Sequence, residues 1–109
     1  MYNDRMKLTN SDKQRIKHEL ASCLCGVPEV RKVMVFGSFM TSSNPQDLDV
    51  AVFQDTDQKY LPLAMKYRQL LRPVADQIPL DVIPVRFGTS GGQFLAEINK
   101  GEVVYERQL

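Results

Sequence analysis

Val33-Met34-Val35-Phe36-Gly37-Ser38, followed by Asp47-Leu48-Asp49-Val50-Ala51-Val52-Phe53, is the stretch that decides how this chain folds. Both halves hold apolar residues in unbroken runs rather than in alternation with polar ones. Runs of this kind belong to strands covered on both faces. A sheet with helices packed against it is therefore expected, with strands over Arg31 to Phe36 and Asp47 to Phe53. Gly37-Ser38 halts the first strand sharply. Between the strands, Phe39 to Gln46 is polar and turn-rich, which predicts one helical turn and then a loop.

Upstream, Ser11 to Cys25 reads as an amphipathic helix, with Ile16, Leu20, Cys23 and Leu24 on one face. Asn10 or Ser11 is expected to cap it and Gly26 to end it. Residues 1–9 are expected to form a flexible N-terminus. Downstream, Asp55 to Tyr60 is a polar connection, and Pro62 suits the first turn of a helix. Leu63, Tyr67, Leu70, Leu71, Val74 and Ile78 continue a helical stripe, which Pro73 should kink or split in two. Leu80 to Val85 reads as a third strand. Its Pro84 cannot donate to a ladder, so an edge or a strand end is expected. A short helix over Gln93 to Lys100 should face Phe94, Leu95 and Ile98 inward, and Val103 to Tyr105 should form a last strand. The expected order is α-β-(α)-β-α-β-α-β in a single domain spanning residues 1–109.

A chain of 109 residues can bury one core of its own. Its 43% hydrophobic and 25% charged residues are ordinary for a globular protein. The formal net charge of +1 gives no electrostatic reason to expect direct nucleic-acid binding or an anionic membrane surface. No apolar run approaches the roughly 20 residues that span a bilayer. The opening Met1 to Arg5 is charged and unlike a secretory signal, so the expected location is cytoplasmic. Cys23 and Cys25 lie two apart on a helix and point apart, so no bridge between them is expected. Lys13, Arg15 and Lys17 read as a solvated face, as does the single histidine, His18.

Three features carry chemistry. Asp47 and Asp49 flank one residue at the head of a strand, and side chains two apart share a face. Two carboxylates held that close repel each other unless a cation or proton lies between them. Magnesium favours carboxylate oxygens together with waters and phosphates. Asp81 interrupts the otherwise apolar Pro79-Leu80-Asp81-Val82-Ile83. Buried without a partner, it would cost several kcal/mol, on the order seen for lone buried charges. It is therefore expected to pair, protonate or face an ion. Gly37 lets backbone approach a ligand closely, and N–H groups of a turn starting at Ser38 can hold phosphate oxygens.

Val35-Phe36-Gly37-Ser38, then Asp47-Leu48-Asp49-Val50, then Asp81 resembles the signature of the DNA-polymerase-beta-like nucleotidyltransferase superfamily, in particular its minimal members. The closing Phe94 to Glu106 is similar to the tail of small prokaryotic members. The resemblance implies an α+β fold, with a mixed, mainly antiparallel sheet of about four strands flanked by helices. It implies transfer of a nucleoside monophosphate, AMP from ATP above all, to a hydroxyl. Asp47, Asp49 and Asp81 would hold two magnesium ions, with manganese as the substitute, and Gly37 and Ser38 would hold the nucleotide. It also implies a HEPN-type helical partner protein, which some members adenylylate as antitoxins.

Two departures mark this chain. Eight residues separate Ser38 from Asp47, slightly fewer than usual, and Phe39 to Gln46 contains no basic residue where small members carry an arginine. Arg86, just past the third strand, is a candidate phosphate contact. A second reading is a binding module that masks its partner with little catalysis. Template-directed polymerisation is disfavoured by the lack of a second domain and of basic surplus.

Overall fold

The computed structural model describes residues 8–108. Its elements run α1 (Asn10–Leu24), β1 (Val30–Phe36), α2 (Ser38–Thr41), β2 (Leu48–Gln54), α3 (Tyr60–Leu70), α4 (Arg72–Ala75), β3 (Leu80–Arg86), α5 (Gln93–Asn99) and β4 (Glu102–Glu106). The strands form one sheet in the order β3-β2-β1-β4. β1 pairs antiparallel with β2 and with β4, whereas β2 and β3 are parallel. The fold is the expected α+β one, with a mixed sheet in which two of the three pairings are antiparallel. The parallel pair needs a crossover, and α3 and α4 supply it.

Helices on both faces explain the unalternating runs. Val33, Val35, Val50, Val52 and Val82 point to one side, into a core shared with Ile16, Leu20 and Leu24 of α1 and Leu63, Tyr67, Leu71 and Val74 of α3 and α4. Met34, Phe36, Ala51 and Phe53 point to the other, under Leu95 and Ile98 of α5. β3 is an edge strand, the first of the two placements that Pro84 allowed. Only Val82 and Pro84 of it are fully buried.

Local signals were partly displaced. Thr9, not Asn10 or Ser11, caps α1. Its hydroxyl accepts from the Asp12 N–H at 3.0 Å, and its own N–H donates to the Asp12 carboxylate at 2.9 Å. Thr9 is the residue that places Asp12 at the third helical position, where that reciprocal pair closes. Of the expected flexible N-terminus, residues 1–7 lie outside the described residues. Leu8 is tied down, its N–H donating to the Ser43 carbonyl at 3.0 Å. Pro73 splits the long stripe into α3 and α4, but Leu70 is exposed beside the break. Phe94 is 53% exposed rather than inward, because the short α5 presents only Leu95 and Ile98 to the sheet. The face Lys13, Arg15, Lys17 is not merely solvated: Lys13 donates to the Ser42 carbonyl, Arg15 to Gln77, and Lys17 pairs with Glu102 at 2.8 Å. Both cysteines are free thiols. No described helix is long and apolar enough to cross a membrane.

Candidate active site

The acidic residues gather at one end of the sheet. Asp49 is the second residue of β2, and in the parallel ladder its Cα partner is Asp81 of β3. In the antiparallel ladder its partner is Phe36, the last residue of β1. Paired residues on neighbouring strands share a face and stand about 4.8 Å apart. Asp49 lies on the α5 side, because Ala51 and Phe53, at the same parity, lie there. Asp81 shares that face with Ile83 and Val85. Asp47 sits just ahead of β2, exposed, two residues before Asp49.

Gly37 closes the site from the β1 side. It has φ 78° and ψ −154°, a region that residues with a side chain rarely enter. The Asp49 carboxylate lies against its Cα: a Cβ there would overlap Asp49 Oδ2 and come within 3.4 Å of Cγ. Ser38 follows as the first residue of α2, and no side chain caps that helix. The Gly-Ser bend and the Asp-x-Asp pair, eleven residues apart between Ser38 and Asp49, are thus brought into contact by the β1–β2 pairing.

Electrostatics at Asp49 follow from this placement. Partial burial, then the charges of Asp47 and Asp81, hold its carboxyl above the usual carboxylate range. Asp81 departs from expectation. It is exposed rather than buried in an apolar strand, since it sits near the start of an edge strand beyond the cover of α5. A resident divalent metal fits the donor type, which is oxygen-only, and the shared face. Among the described residues, however, no three His, Cys, Asp or Glu side chains are drawn together closely enough to hold a metal ion. Like charges standing apart is the arrangement that repulsion favours.

A cleft of 590 Å³ opens beside Asp81, along β3 under the flank of α5. Ile83, Val85 and Leu95 form an apolar floor, Tyr60 and Phe94 stand at its rim, and Arg86 at its far end. Tyr60 and Phe94 gave no site signal in the sequence. Their one distinguishing feature, exposed aromatic surface, appears only once the chain is folded. Arg86 is five residues from Asp81, on the order of 16 Å along a strand. It pairs with Asp57 at 2.9 Å, so it does not reach the acidic cluster.

A family model for polymerase beta nucleotidyltransferases matches residues 16–109, which includes the bend, the acidic pair and Asp81. The chain belongs to that family. Its general chemistry is nucleotidyl transfer, and members of the superfamily generally use divalent metal ions. No curated protein matches the chain. Among solved structures, it is similar to a re-refined tri-AMPylated Shewanella oneidensis HEPN toxin in complex with MNT antitoxin, at 19% identity over 87% of this chain and 73% of that one, with a TM-score of 0.61. It is also similar to the toxin–antitoxin MntA–HepT, at 18% identity over 86% and 73%, with a TM-score of 0.58. At such identities the likeness is one of fold, and it agrees with the sheet described above.

Proposed function

We propose that this nucleotidyltransferase domain moves AMP from ATP to a hydroxyl on a partner protein of the HEPN type. The observation that carries the reading is the row of Asp81, Asp49 and Gly37 across three adjacent strand ends. Asp47, Asp49 and Asp81 would hold two magnesium ions. Bound there, the ions supply neutralisation of phosphate charge and Lewis acidity at the attacking and leaving oxygens. The bend at Gly37 and Ser38 holds phosphate oxygens through backbone N–H groups and the serine hydroxyl. The acceptor oxygen attacks the α-phosphorus, its proton passing to Asp81. The bond from the α-phosphorus to the bridging oxygen breaks, and pyrophosphate leaves. Asp81 suits the proton-accepting role because it is exposed and opens onto the cleft beneath Phe94 and Tyr60. That cleft receives the acceptor group.

A protein acceptor is supported by the similar structures, one of which contains an AMPylated HEPN toxin bound to its antitoxin. The test is incubation of the chain with α-labelled ATP and magnesium, with and without a HEPN-type protein, the product of the adjacent gene being the first to try. Label should appear on the partner with wild type and not with Asp49→Asn. Failure of the wild type to bind any nucleoside triphosphate with magnesium or manganese would overturn the reading.

One observation favours a second reading, in which the domain only masks its partner. Phe39 to Gln46 contributes no cation to the bend. Under that reading Asp49→Asn neutralises the partner as well as wild type does, and no label is transferred.

A further inference from the structure

A second, smaller cavity of 170 Å³ lies on the opposite flank of Asp49 from the cleft, between α2 and the end of α5. Gly37, Met40 and Thr41 line one wall, and Glu97, Lys100 and Gly101 the other. The β1–β4 ladder pairs Val35 with Glu102. Just before that pair the chain leaves the ladder, and Lys100, the C-cap of α5, lines the same cavity as Gly37. The approach is fixed by Gly101, where a Cβ would overlap the Val35 carbonyl oxygen and lie 2.8 Å from Phe36 Cβ. No side chain other than hydrogen lets the turn seat this deeply against the end of β1. Lys100 thereby becomes a cation beside the bend that comes from sixty residues further along the chain than Met40.

Ladder pairing sets Asp81, Asp49 and Phe36 in one row, and Gly101 abuts Phe36 at its end, with Lys100 and Gly37 lining the cavity there. Two strand spacings separate Asp49 from Gly101, about 10 Å. A nucleotide whose α-phosphate sits at the carboxylates and whose nucleoside or acceptor side faces Asp81 must run its phosphate tail toward Gly37. The tail then ends where Lys100 stands. The present partner of Lys100 is Glu97, at 3.0 Å, three residues back on α5. Both side chains are mostly exposed, at 72% and 63%. Such surface pairs are worth little, about 0–1 kcal/mol. A phosphate with more than one negative charge outcompetes Glu97 for a flexible ammonium.

We propose that Lys100 binds the terminal phosphate of the nucleoside triphosphate, supplying from the α5–β4 turn the cation that the segment after Ser38 lacks. This rests on the nucleotidyltransferase reading above and adds to it a triphosphate-selecting residue. The experiment is competition of Mg–ATP and Mg–ADP against a fluorescent ATP analogue on the full chain, for wild type, Lys100→Ala, Lys100→Arg, Glu97→Gln and Asp49→Asn. Wild type should prefer ATP over ADP. Lys100→Ala should weaken ATP about ten-fold, the scale of one charge-assisted hydrogen bond, and erase most of the preference. Lys100→Arg should restore it, and Glu97→Gln should tighten ATP by removing the competing anion. Unchanged ATP affinity in Lys100→Ala, or equal losses for ATP and ADP, would sink the proposal while leaving the family chemistry intact, provided Asp49→Asn abolishes binding. A wild type that binds neither nucleotide overturns both.

Discussion

Replacing Gly37 with alanine tests the contact on which the site is built. The backbone there, at φ 78° and ψ −154°, is a glycine region that costs other residues about 1–3 kcal/mol. The new Cβ also overlaps Asp49 Oδ2, so the carboxylate must rotate away at a further cost of about 0.5–1.5 kcal/mol for an off-rotamer side chain. The sum, roughly 2–4 kcal/mol, is a large part of the 5–15 kcal/mol that ordinarily holds a domain together. It should lower the melting temperature by on the order of 10 °C or more. Urea unfolding of wild type, Gly37→Ala, Asp49→Ala and the double variant separates the two parts in a cycle. With Asp49 truncated, the Gly37→Ala penalty should shrink by the overlap part and keep the backbone part. A penalty below about 0.5 kcal/mol, or one identical in both backgrounds at the precision of such cycles, would refute the close approach of the bend to the acidic pair.

Gly101→Ala should be worse tolerated, because its Cβ meets the Val35 carbonyl, a backbone group that cannot swing aside; loss of about 3 kcal/mol or more by urea unfolding is expected, at the upper end for overpacking. Asp49→Asn should raise the melting temperature of the nucleotide-free protein while removing stabilisation by Mg–ATP. Burial and the charges of Asp47 and Asp81 raise the Asp49 carboxyl, so its ionised form is a burden at neutral pH that vanishes when the charge is removed. Tyr67→Phe should cost about 1–3 kcal/mol, since the Tyr67 hydroxyl donates to the buried Glu29 at 3.0 Å and its loss leaves that carboxylate under-satisfied. Burial pushes Glu29 up, but bonds from Lys66, its own backbone and Tyr67 outweigh it and hold it below the ordinary value. Its contribution to stability is therefore present above the unfolded pKa and lost as pH falls through the folded one. Thermal melts from pH 7 to pH 3 should show this acid-side loss, and Glu29→Gln should flatten it.

Residues adjacent in the chain, through their own periodicity, determined much of this protein. The unbroken apolar runs around Val33 and Val50 required a sheet covered twice, because a strand buried on both faces has no place for alternating polar residues. Pro84 limited its strand to an edge or an end, since it lacks the N–H that a second neighbour needs. Asp47 and Asp49 were bound to share a side whatever the rest of the chain did. Tertiary structure alone decided which strands became neighbours. The crossover through α3 and α4 set β3 beside β2 in the one register that aligns Asp81 with Asp49. The same edge position left Asp81 in solvent, where the apolar sequence around it had implied burial. Gly37 against Asp49, Lys100 in the same cavity wall as Gly101 across from Gly37, and Phe94 at the rim of a cleft rather than in the core all depend on packing between segments far apart in the chain. Such pairings are fixed by the packing of the whole core, and no local pattern of residues encodes them.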